Sequence, residues 1–250
     1  MKLLLGAATM ATAALTNDFT FRALKQKGVE PRDLVLVCNS DRVREACQGW
    51  ERQGVTVHYP EANLGTCASW NYMLEKAFER GYDGAFILND DVWLNDDQGY
   101  AEMLKRVETY DRYLYFVRTL GFSGFCVTRA VWDLVGRFDE GFWPAYFEDN
   151  DYHWRAKQKG VEWVDVYADV AHLGSASLKK WKEWEDWNAK IVFVINRMRY
   201  VEKWGGQPGQ ERWPEAWGGA PERAWSTKAW LRAHGHMPPW YDPYFGAVRA

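Results

Sequence analysis

The chain has 250 residues, 47% of them hydrophobic, which is enough for one large α/β domain or for one domain with a long C-terminal extension. Its formal net charge is −3, so the overall charge gives no reason to expect a protein that binds nucleic acids or membrane surfaces. A local basic face remains compatible with this net charge. No apolar stretch beyond the N-terminus approaches the ~20 residues that a membrane-spanning helix needs.

The first residues allow two interpretations. Lys2, three leucines and an Ala-rich run to Leu15 imitate a short signal peptide. The alternative is a core strand from Leu3 to Thr9 that leads into a helix from about Thr16. We favour the strand, because Lys2 is the only charge before the run and the pattern that follows needs a starting strand.

Up to about residue 120, apolar β-rich runs alternate with amphipathic helical segments. Further strands are predicted at Leu34–Val37, Val55–His58, Ala85–Leu88 and Tyr113–Val117, and helices at about Asp41–Gln53, Thr66–Arg80 and Tyr100–Thr109. This alternation predicts an α/β fold with a mostly parallel central sheet flanked by helices.

After residue 120 the regular alternation of strands and helices ends. The pattern predicts a strand at Gly121–Thr128, a short helix near Ala130–Val135, an aromatic loop at Phe138–Phe147, a helix that opens at Glu148, a strand-like run at Val161–Val170 and a long helix at Lys179–Lys203. The last 45 or so residues are rich in Trp, Pro and Gly and show little periodicity.

The four cysteines, Cys38, Cys47, Cys67 and Cys126, lie far apart without paired spacing. They are typical of buried small hydrophobic residues in a reducing compartment, not of a disulfide framework or a zinc site. We therefore expect a cytoplasmic protein.

Polar residues follow three of the predicted strands or their connections, where an open parallel sheet binds ligands. Asn39-Ser40-Asp41 and Asn63-Leu64-Gly65 offer groups of the kind that hold a base, ribose or phosphate. Asn89-Asp90-Asp91 adds two carboxylates, which favour a divalent cation bridging diphosphate oxygens. A solvated turn is the alternative, because Asn and Asp favour turns.

A second acidic cluster, Glu148 to Asp151, stands at a predicted helix start, where acidic residues also offset the helix dipole. The preceding residues, Phe142 to Phe147, are too aromatic for a plain solvated loop. A carboxylate beside aromatic walls can have a raised pKa and serve as a general base. A lone histidine, His172, follows a strand and taken alone is more often structural than a ligand.

Taken in order, these segments resemble the family 2 glycosyltransferases with the GT-A fold, over about residues 3 to 177. The matching stretches are NLGTCASWN (Asn63 to Asn71), FILNDDVWL (Phe86 to Leu94), GFSGFCVTRAVWDLVGRFDEGF (Gly121 to Phe142), FEDNDYHWRAKQKG (Phe147 to Gly160) and HLGSAS (His172 to Ser177). Each stretch is weakly specific by itself, and the resemblance depends on their common order.

The resemblance implies a catalytic domain at 1–177, with a donor-binding half at about 1–95 and an acceptor-binding half at about 96–177, followed by a C-terminal extension at 178–250. A nucleotide-diphosphate sugar is expected across the first half, with a UDP-sugar favoured. The implied donor-binding residues are Thr9, Asn39, Ser40, Asn63, Gly65, Asn71, Asn89 and Asp90.

The resemblance also implies the chemistry. Asp91 occupies the place of the metal-binding Asp-x-Asp and His172 that of a late histidine, so both are expected to bind Mn²⁺ or Mg²⁺. Asp149 is expected to be the catalytic base of an inverting transfer to an acceptor hydroxyl, with Glu148 in support. Trp143, Tyr146 and Asp151 are the expected acceptor-binding residues.

Two residues depart from the family pattern. Asn89 stands where the family commonly has an aspartate. This weakens the expected affinity for the metal or leaves Asp90 to help bind it. Asn39 replaces an aspartate that often contacts the base, which weakens the case for uridine.

The C-terminal extension contains nine of the 16 tryptophans, and from Leu178 to Ala250 it carries 12 Lys and Arg residues against eight Asp and Glu. Trp181, Trp184 and Trp187 lie near one helical face, which predicts that they cover the catalytic domain. Alternatively, some of these rings stack on the acceptor. The sequence does not decide whether that acceptor is a glycan, a protein or DNA with a hydroxymethylated base.

Two other functions remain open at this point. A nucleotidyltransferase on a similar sheet would usually carry a Gly-rich phosphate loop after the first strand, and Gly6-Ala7-Ala8-Thr9 is a poor one. The other is a non-catalytic module that binds carbohydrate or nucleic acid. In such a module Asp91, Asp149 and His172 would have no common function, and their presence at the family positions counts against it.

Overall fold

A computed structural model describes residues 1–10, 12–174, 176, 179, 181–239 and 241. The strands are β1 Leu3–Thr9, β2 Leu34–Cys38, β3 Thr56–His58, β4 Gly84–Leu88, β5 Val92–Leu94, β6 Leu114–Val117, β7 Gly124–Thr128, β8 Trp163–Val166 and β9 Val170–His172. The α-helices are α1 Ala13–Ala23, α2 Arg44–Glu51, α3 Gly65–Glu79, α4 Gly99–Thr109, α5 Arg129–Val135, α6 Glu148–Gln158, α7 Lys182–Trp187, α8 Phe193–Trp204 and α9 Thr227–Ala233.

Seven strands form the central sheet in the order β3-β2-β1-β4-β7-β6-β8. β7 runs antiparallel to both of its neighbours, and the other pairs are parallel. The predicted α/β fold with a mostly parallel sheet is therefore confirmed, and β1, favoured over a signal-peptide interpretation, lies inside the sheet.

The strands are continuous apolar runs because both faces of the sheet are covered by helices. Along β1, Leu4 belongs to one hydrophobic cluster, whereas Leu3 and Leu5 belong to the cluster on the opposite face. Trp70 of α3 anchors the first cluster and Phe19 of α1 the second.

The region expected to be one strand at Val161–Val170 is two strands with different partners. β8 pairs in parallel with β6 at the edge of the central sheet, whereas β9 pairs antiparallel with β5 in a separate two-stranded sheet. One continuous strand could not reach both partners. In the second sheet Val92 lies opposite His172, which brings the end of β4 close to the second half of the chain.

Three element boundaries also differ from the prediction. α1 begins at Ala13, not near Thr16, because the Thr12 side chain caps it by accepting a hydrogen bond from the Leu15 N–H. Residues Asp41–Val43 and Gly121–Ser123 form 3₁₀ turns, so α2 and β7 begin later than expected.

The predicted C-terminal helix is present from Lys182 to Trp204, and a π-helical segment at Asn188–Val192 joins α7 to α8. Trp184 and Trp187 are 1% and 7% exposed and pack with Trp143, in agreement with a covering role. The expected boundary between residues 177 and 178 lies outside the described residues.

All four cysteines are free and buried, as predicted. Within the described part of the chain, none of the helices combines the length and apolarity that crossing a bilayer requires.

The contact between β4 and β7 gives a test of the sheet. A Cβ added at Gly84 would lie 2.7 Å from the Val127 carbonyl oxygen and 3.0 Å from Thr128 Cα, and neither backbone atom can move without disturbing β7. We expect Gly84→Ala to lower the free energy of unfolding by about 1–3 kcal/mol in urea titrations, because overpacking a closed contact has that cost.

Gly49→Ala is the matched control. A Cβ there meets only the Arg52 Nη2 atom at 3.9 Å, and Ala is favoured over Gly within a helix by roughly 0.5–1 kcal/mol. Equal stability of the two variants would contradict the tight β4–β7 contact.

Candidate active site

A cavity of about 690 Å³ opens at the carboxyl ends of β1, β2 and β4. Ala8 of β1, Asn39 after β2 and Asn89 after β4 line this central cavity. The turn at 120–123 and residues 144–150 line it as well. The position is the one where open α/β sheets bind their ligands.

Asp91 and His172 meet in the central cavity. Asp91 directly precedes β5 and His172 ends β9, so the antiparallel pairing of these short strands places His172 Nε2 3.5 Å from Asp91 Oδ1. Asp91 Oδ2 accepts a hydrogen bond from the Ala176 N–H at 2.9 Å, and the Asp91 carbonyl accepts one from the Leu173 N–H. The carboxylate is therefore fixed, with Oδ1 turned towards the imidazole.

Asn89 and Asp90 also line the central cavity. The Asn89 side chain donates to Ser123 Oγ at 3.2 Å, which ties the end of β4 to the turn before β7. Asp90 is 5% exposed. Both of these expected donor-binding residues thus line the same cavity as Asp91.

Three further expected donor-binding residues line the cavity near β2. Asn39 accepts a hydrogen bond from the Leu64 N–H and donates to Ser69 Oγ, and Asn63 Oδ1 accepts one from the Gly65 N–H. Gly65 has φ of +76°, and a Cβ there would lie 2.7 Å from the Trp143 ring. Only glycine combines this backbone conformation with so close a neighbour.

Thr9, Ser40 and Asn71 are not among the residues that line the central cavity. Thr9 Oγ1 contacts Thr16 Oγ1, and Ser40 caps the 3₁₀ turn that follows it. The Asn71 amide is fully buried, donates to the Phe138 carbonyl and accepts from the Phe138 N–H. In this structure all three stabilise neighbouring segments.

The second acidic pair faces the same cavity from the start of α6. Glu148 is 6% exposed, and its Oε2 atom has no hydrogen-bond partner in the described part of the chain. Burial raises the pKa of the Glu148 carboxyl, and the charge of Asp149 raises it further. Burial also raises the pKa of Asp149, whose Oδ1 accepts a hydrogen bond from the Asn150 N–H.

The backbone before this pair is held in an unusual conformation. Tyr146 and Phe147 have φ of 82° and 69°, a left-handed geometry that costs non-glycine residues about 1–2 kcal/mol each. Asn196 of α8, fully buried, donates to the carbonyls of Ala145 at 2.7 Å and Trp143 at 3.3 Å, and Thr227 donates to its side-chain oxygen. The C-terminal region thus fixes the loop that positions Glu148 and Asp149.

The three expected acceptor-binding residues lie in different places. Tyr146 lines the central cavity, whereas Trp143 is 3% exposed and packs behind it against Trp187. Asp151 is fully buried and is not among the cavity-lining residues; it accepts hydrogen bonds from Arg155 and Trp204 and pairs with Lys203. Its two oxygens are thereby committed to structural contacts.

Several cavity residues were not among the site residues expected from the sequence. They are Ala8, Met10, Thr66, Trp70, the turn at 120–123, Pro144, Ala145, Phe147, Asn150, Trp184 and Phe193. The turn belongs to a stretch that carries the family resemblance, which was a usable signal. Phe193 had none, because its place beside the cavity depends on how α8 packs.

The cavity carries strongly unbalanced charge. Four carboxylates line it, from Asp90, Asp91, Glu148 and Asp149, and no Lys or Arg occurs among its described lining residues. A diphosphate placed here needs a cation from outside this lining to offset the repulsion. In the described residues no three His, Cys, Asp or Glu side chains form a metal-binding group, so Asp91 and His172 stand as a pair.

The fold is similar to that of solved glycosyltransferases. The mannosyltransferase PcManGT from Pyrobaculum calidifontis, in complex with GDP-Man and Mn²⁺, matches with a TM-score of 0.57 and 12% identity over 98% of this chain and 82% of its own. GalNAc-T7 with UDP, GalNAc and Mn²⁺ matches with a TM-score of 0.58 and 12% identity over 81% of this chain and 48% of its own.

S. aureus TarS 1–349 in complex with UDP matches with a TM-score of 0.51 and 12% identity over 67% of this chain and 57% of its own. These likenesses confirm the predicted GT-A fold. No family model and no curated protein matches the sequence, so membership of family 2 stays a prediction.

The hydrogen bonds of Asn196 predict a loss of stability in Asn196→Leu. The change leaves the Ala145 and Trp143 carbonyls without this donor in a buried setting, which costs about 1–3 kcal/mol. We expect the melting temperature to fall by several degrees, measured by differential scanning calorimetry.

Asn188→Leu is the control on the same helical run. Asn188 is 1% exposed, and neither its amide nitrogen nor its oxygen has a partner within the described residues, so its removal should leave stability unchanged or raised. Equal losses in both variants would contradict the specific role of Asn196.

The raised pKa of Glu148 predicts how stability depends on pH. The folded protein holds this proton at pH values where the unfolded chain has lost it, so folding stability falls as pH rises above the ordinary glutamate range, about 4.3. Glu148→Gln removes the ionisation, and its melting temperature should exceed that of the wild type by an amount that grows with pH. The exposed Glu162→Gln is the control, and a difference that stays constant with pH would disprove the shift.

Proposed function

We propose that this chain is a metal-dependent glycosyltransferase that moves a sugar from a nucleotide-diphosphate donor to an acceptor hydroxyl with inversion. One observation carries the proposal: the pair Asp91–His172 and the pair Glu148–Asp149 line one cavity at the carboxyl edge of the sheet. The shared fold with proteins solved in complex with UDP or GDP-Man supports it, and a UDP-sugar is the donor that we favour.

Asp91 and His172 are suited to a divalent cation such as Mn²⁺ or Mg²⁺. Their 3.5 Å separation lets both ligands reach one ion at distances of about 2 Å, and such ions complete their coordination with substrate phosphate oxygens. When bound, the cation would neutralise the diphosphate leaving group. The absence of Lys and Arg from the described lining makes this cation the expected source of positive charge.

The residues of the chain then account for the transfer. Asp149 takes the proton of the acceptor hydroxyl, whose oxygen forms a bond to the anomeric carbon of the donor sugar. The bond from that carbon to the diphosphate oxygen breaks, and its electron pair leaves with the nucleotide diphosphate. A single displacement inverts the anomeric configuration. The buried Glu148, whose raised pKa favours the protonated form, contacts the acceptor hydroxyl in support.

The donor side is formed by Asn39, Asn63 and Gly65, with Asn89 and Asp90 next to the metal pair.

We retain the catalytic domain at 1–177 and the extension at 178–250 as part of the proposal. A cytoplasmic location remains a prediction.

The test is a thermal-shift panel of UDP, GDP and their sugars with and without Mn²⁺, followed by assays of nucleotide-sugar hydrolysis and transfer. A donor present at 100 times its Kd raises stability by about 2.7 kcal/mol. We expect Asp91→Asn and His172→Ala to lose the Mn²⁺-dependent shift. Asp149→Asn should keep the shift but reduce turnover by about 10²–10⁴-fold.

Asp165→Asn, at an exposed position of β8, is the control for Asp149→Asn. A panel in which no nucleotide diphosphate raises the melting temperature would overturn the proposal. Binding without hydrolysis or transfer would instead indicate a non-catalytic module, and diphosphate release from a nucleoside triphosphate would indicate a nucleotidyltransferase.

A further inference from the structure

Phe193 is the exposed aromatic residue at the edge of the central cavity. Its side chain lines the cavity although 41% of the residue is exposed. Its ring centroid lies 5.3 Å from that of Tyr146, nearly edge to face, and 5.2 Å from that of Phe147. Two neighbouring rings therefore hold Phe193 in place while part of its surface remains open to solvent.

The position of Phe193 depends on the C-terminal extension. It is the first residue of α8 and directly follows the π-helical segment Asn188–Val192. Single-turn π segments occur frequently at functional sites. The next residue that packs inward is Ile195, so Phe193 faces the cavity while α8 is held from its other side.

Within the cavity, Glu148 supplies a second observation that points to a ligand. Its Oε2 atom is buried and has no hydrogen-bond partner within the described residues, which is unfavourable unless a bound group supplies one. A hydroxyl can both donate to and accept from a carboxyl group, so it can pair with this atom whether the carboxyl is ionised or protonated. The unpartnered atom therefore suits a hydroxyl-bearing ligand.

The charge of the cavity disfavours a polyanionic acceptor. Four carboxyl groups and no described Lys or Arg line it, whereas nucleic-acid binding depends on Lys and Arg contacts to phosphates. Four described basic residues between the start of α7 and the end of α8 are paired with acidic residues. Lys182 and Lys190 pair with Asp186, and Arg199 and Lys203 pair with Asp139.

From these contacts we infer, on the basis of the proposed function, that the acceptor is the neutral terminal sugar of a glycan, held with its ring on Phe193, beside Tyr146, and its hydroxyls towards Glu148 and Asp149. A pyranose has an apolar C–H face and a polar hydroxyl edge, and it fits a cavity that is lined by both aromatic rings and carboxyl groups. Phe193 is the specificity-determining residue, and it belongs to the extension.

The experiment uses the full chain with the donor found by the thermal-shift panel. Transfer is measured to neutral oligosaccharides ending in glucose, galactose, mannose or N-acetylglucosamine, to a Ser/Thr peptide, and to single-stranded DNA containing hydroxymethylcytosine. Donor hydrolysis without acceptor is measured in parallel. We expect transfer to at least one neutral oligosaccharide and to neither of the other two acceptors.

Phe193→Ala should lower the ratio of transfer to hydrolysis about tenfold through a higher acceptor KM, because one aromatic contact has about that effect. Phe193→Tyr, which keeps the ring, should retain the ratio. Val194→Ala is the matched control, since Val194 is 53% exposed and is not among the cavity-lining residues.

The outcomes separate the two proposals. Hydrolysis of a nucleotide sugar with transfer only to the peptide or to DNA would overturn the glycan acceptor while leaving the glycosyltransferase intact. An unchanged acceptor KM in Phe193→Ala would also overturn it. Absence of hydrolysis and transfer with every donor would refute the proposed function itself.

Discussion

The site depends on the antiparallel pairing of β5 with β9. These strands have three residues each and form their own small sheet, yet their register brings the carboxylate that follows β4 to the histidine that ends β9. The Leu173 N–H then donates to the Asp91 carbonyl, and the Ala176 N–H donates to its carboxylate and fixes it. Without this pairing, the two candidate metal ligands would belong to separate parts of the fold.

A second constraint comes from the C-terminal helices. Asn196 holds the loop before α6, and Arg199 and Lys203 extend the same face into an ion-pair network with Asp139 and Asp151. Burying such charges gains little net stability, but leaving one of them without its partner is costly, so the network admits few other arrangements of α8. These helices therefore hold the framework of the candidate site as well as covering hydrophobic surface.

The chemistry follows from the acidic lining of the cavity. It carries four carboxyl groups, from Asp90, Asp91, Glu148 and Asp149, and no described Lys or Arg, and burial raises the pKa values of Glu148 and Asp149. A cavity of this kind holds a diphosphate only together with a cation and favours neutral hydroxyl groups elsewhere. One electrostatic property thus explains the proposed metal requirement, the proposed base and the proposed class of acceptor.

The sequence by itself determined the α/β fold and the polar residues that follow its strands at the edge of the cavity. Buried strands are recognisable as apolar runs, and ligand-binding groups follow their carboxyl ends. It also placed Asp91, His172, Glu148 and Asp149 among the candidates, through a family resemblance. Tertiary structure alone decided that Thr9, Ser40, Asn71 and Asp151 make structural contacts, since the direction of a side chain depends on packing. It also decided that Phe193 reaches the cavity, because the packing of α8 depends on contacts between residues far apart in sequence.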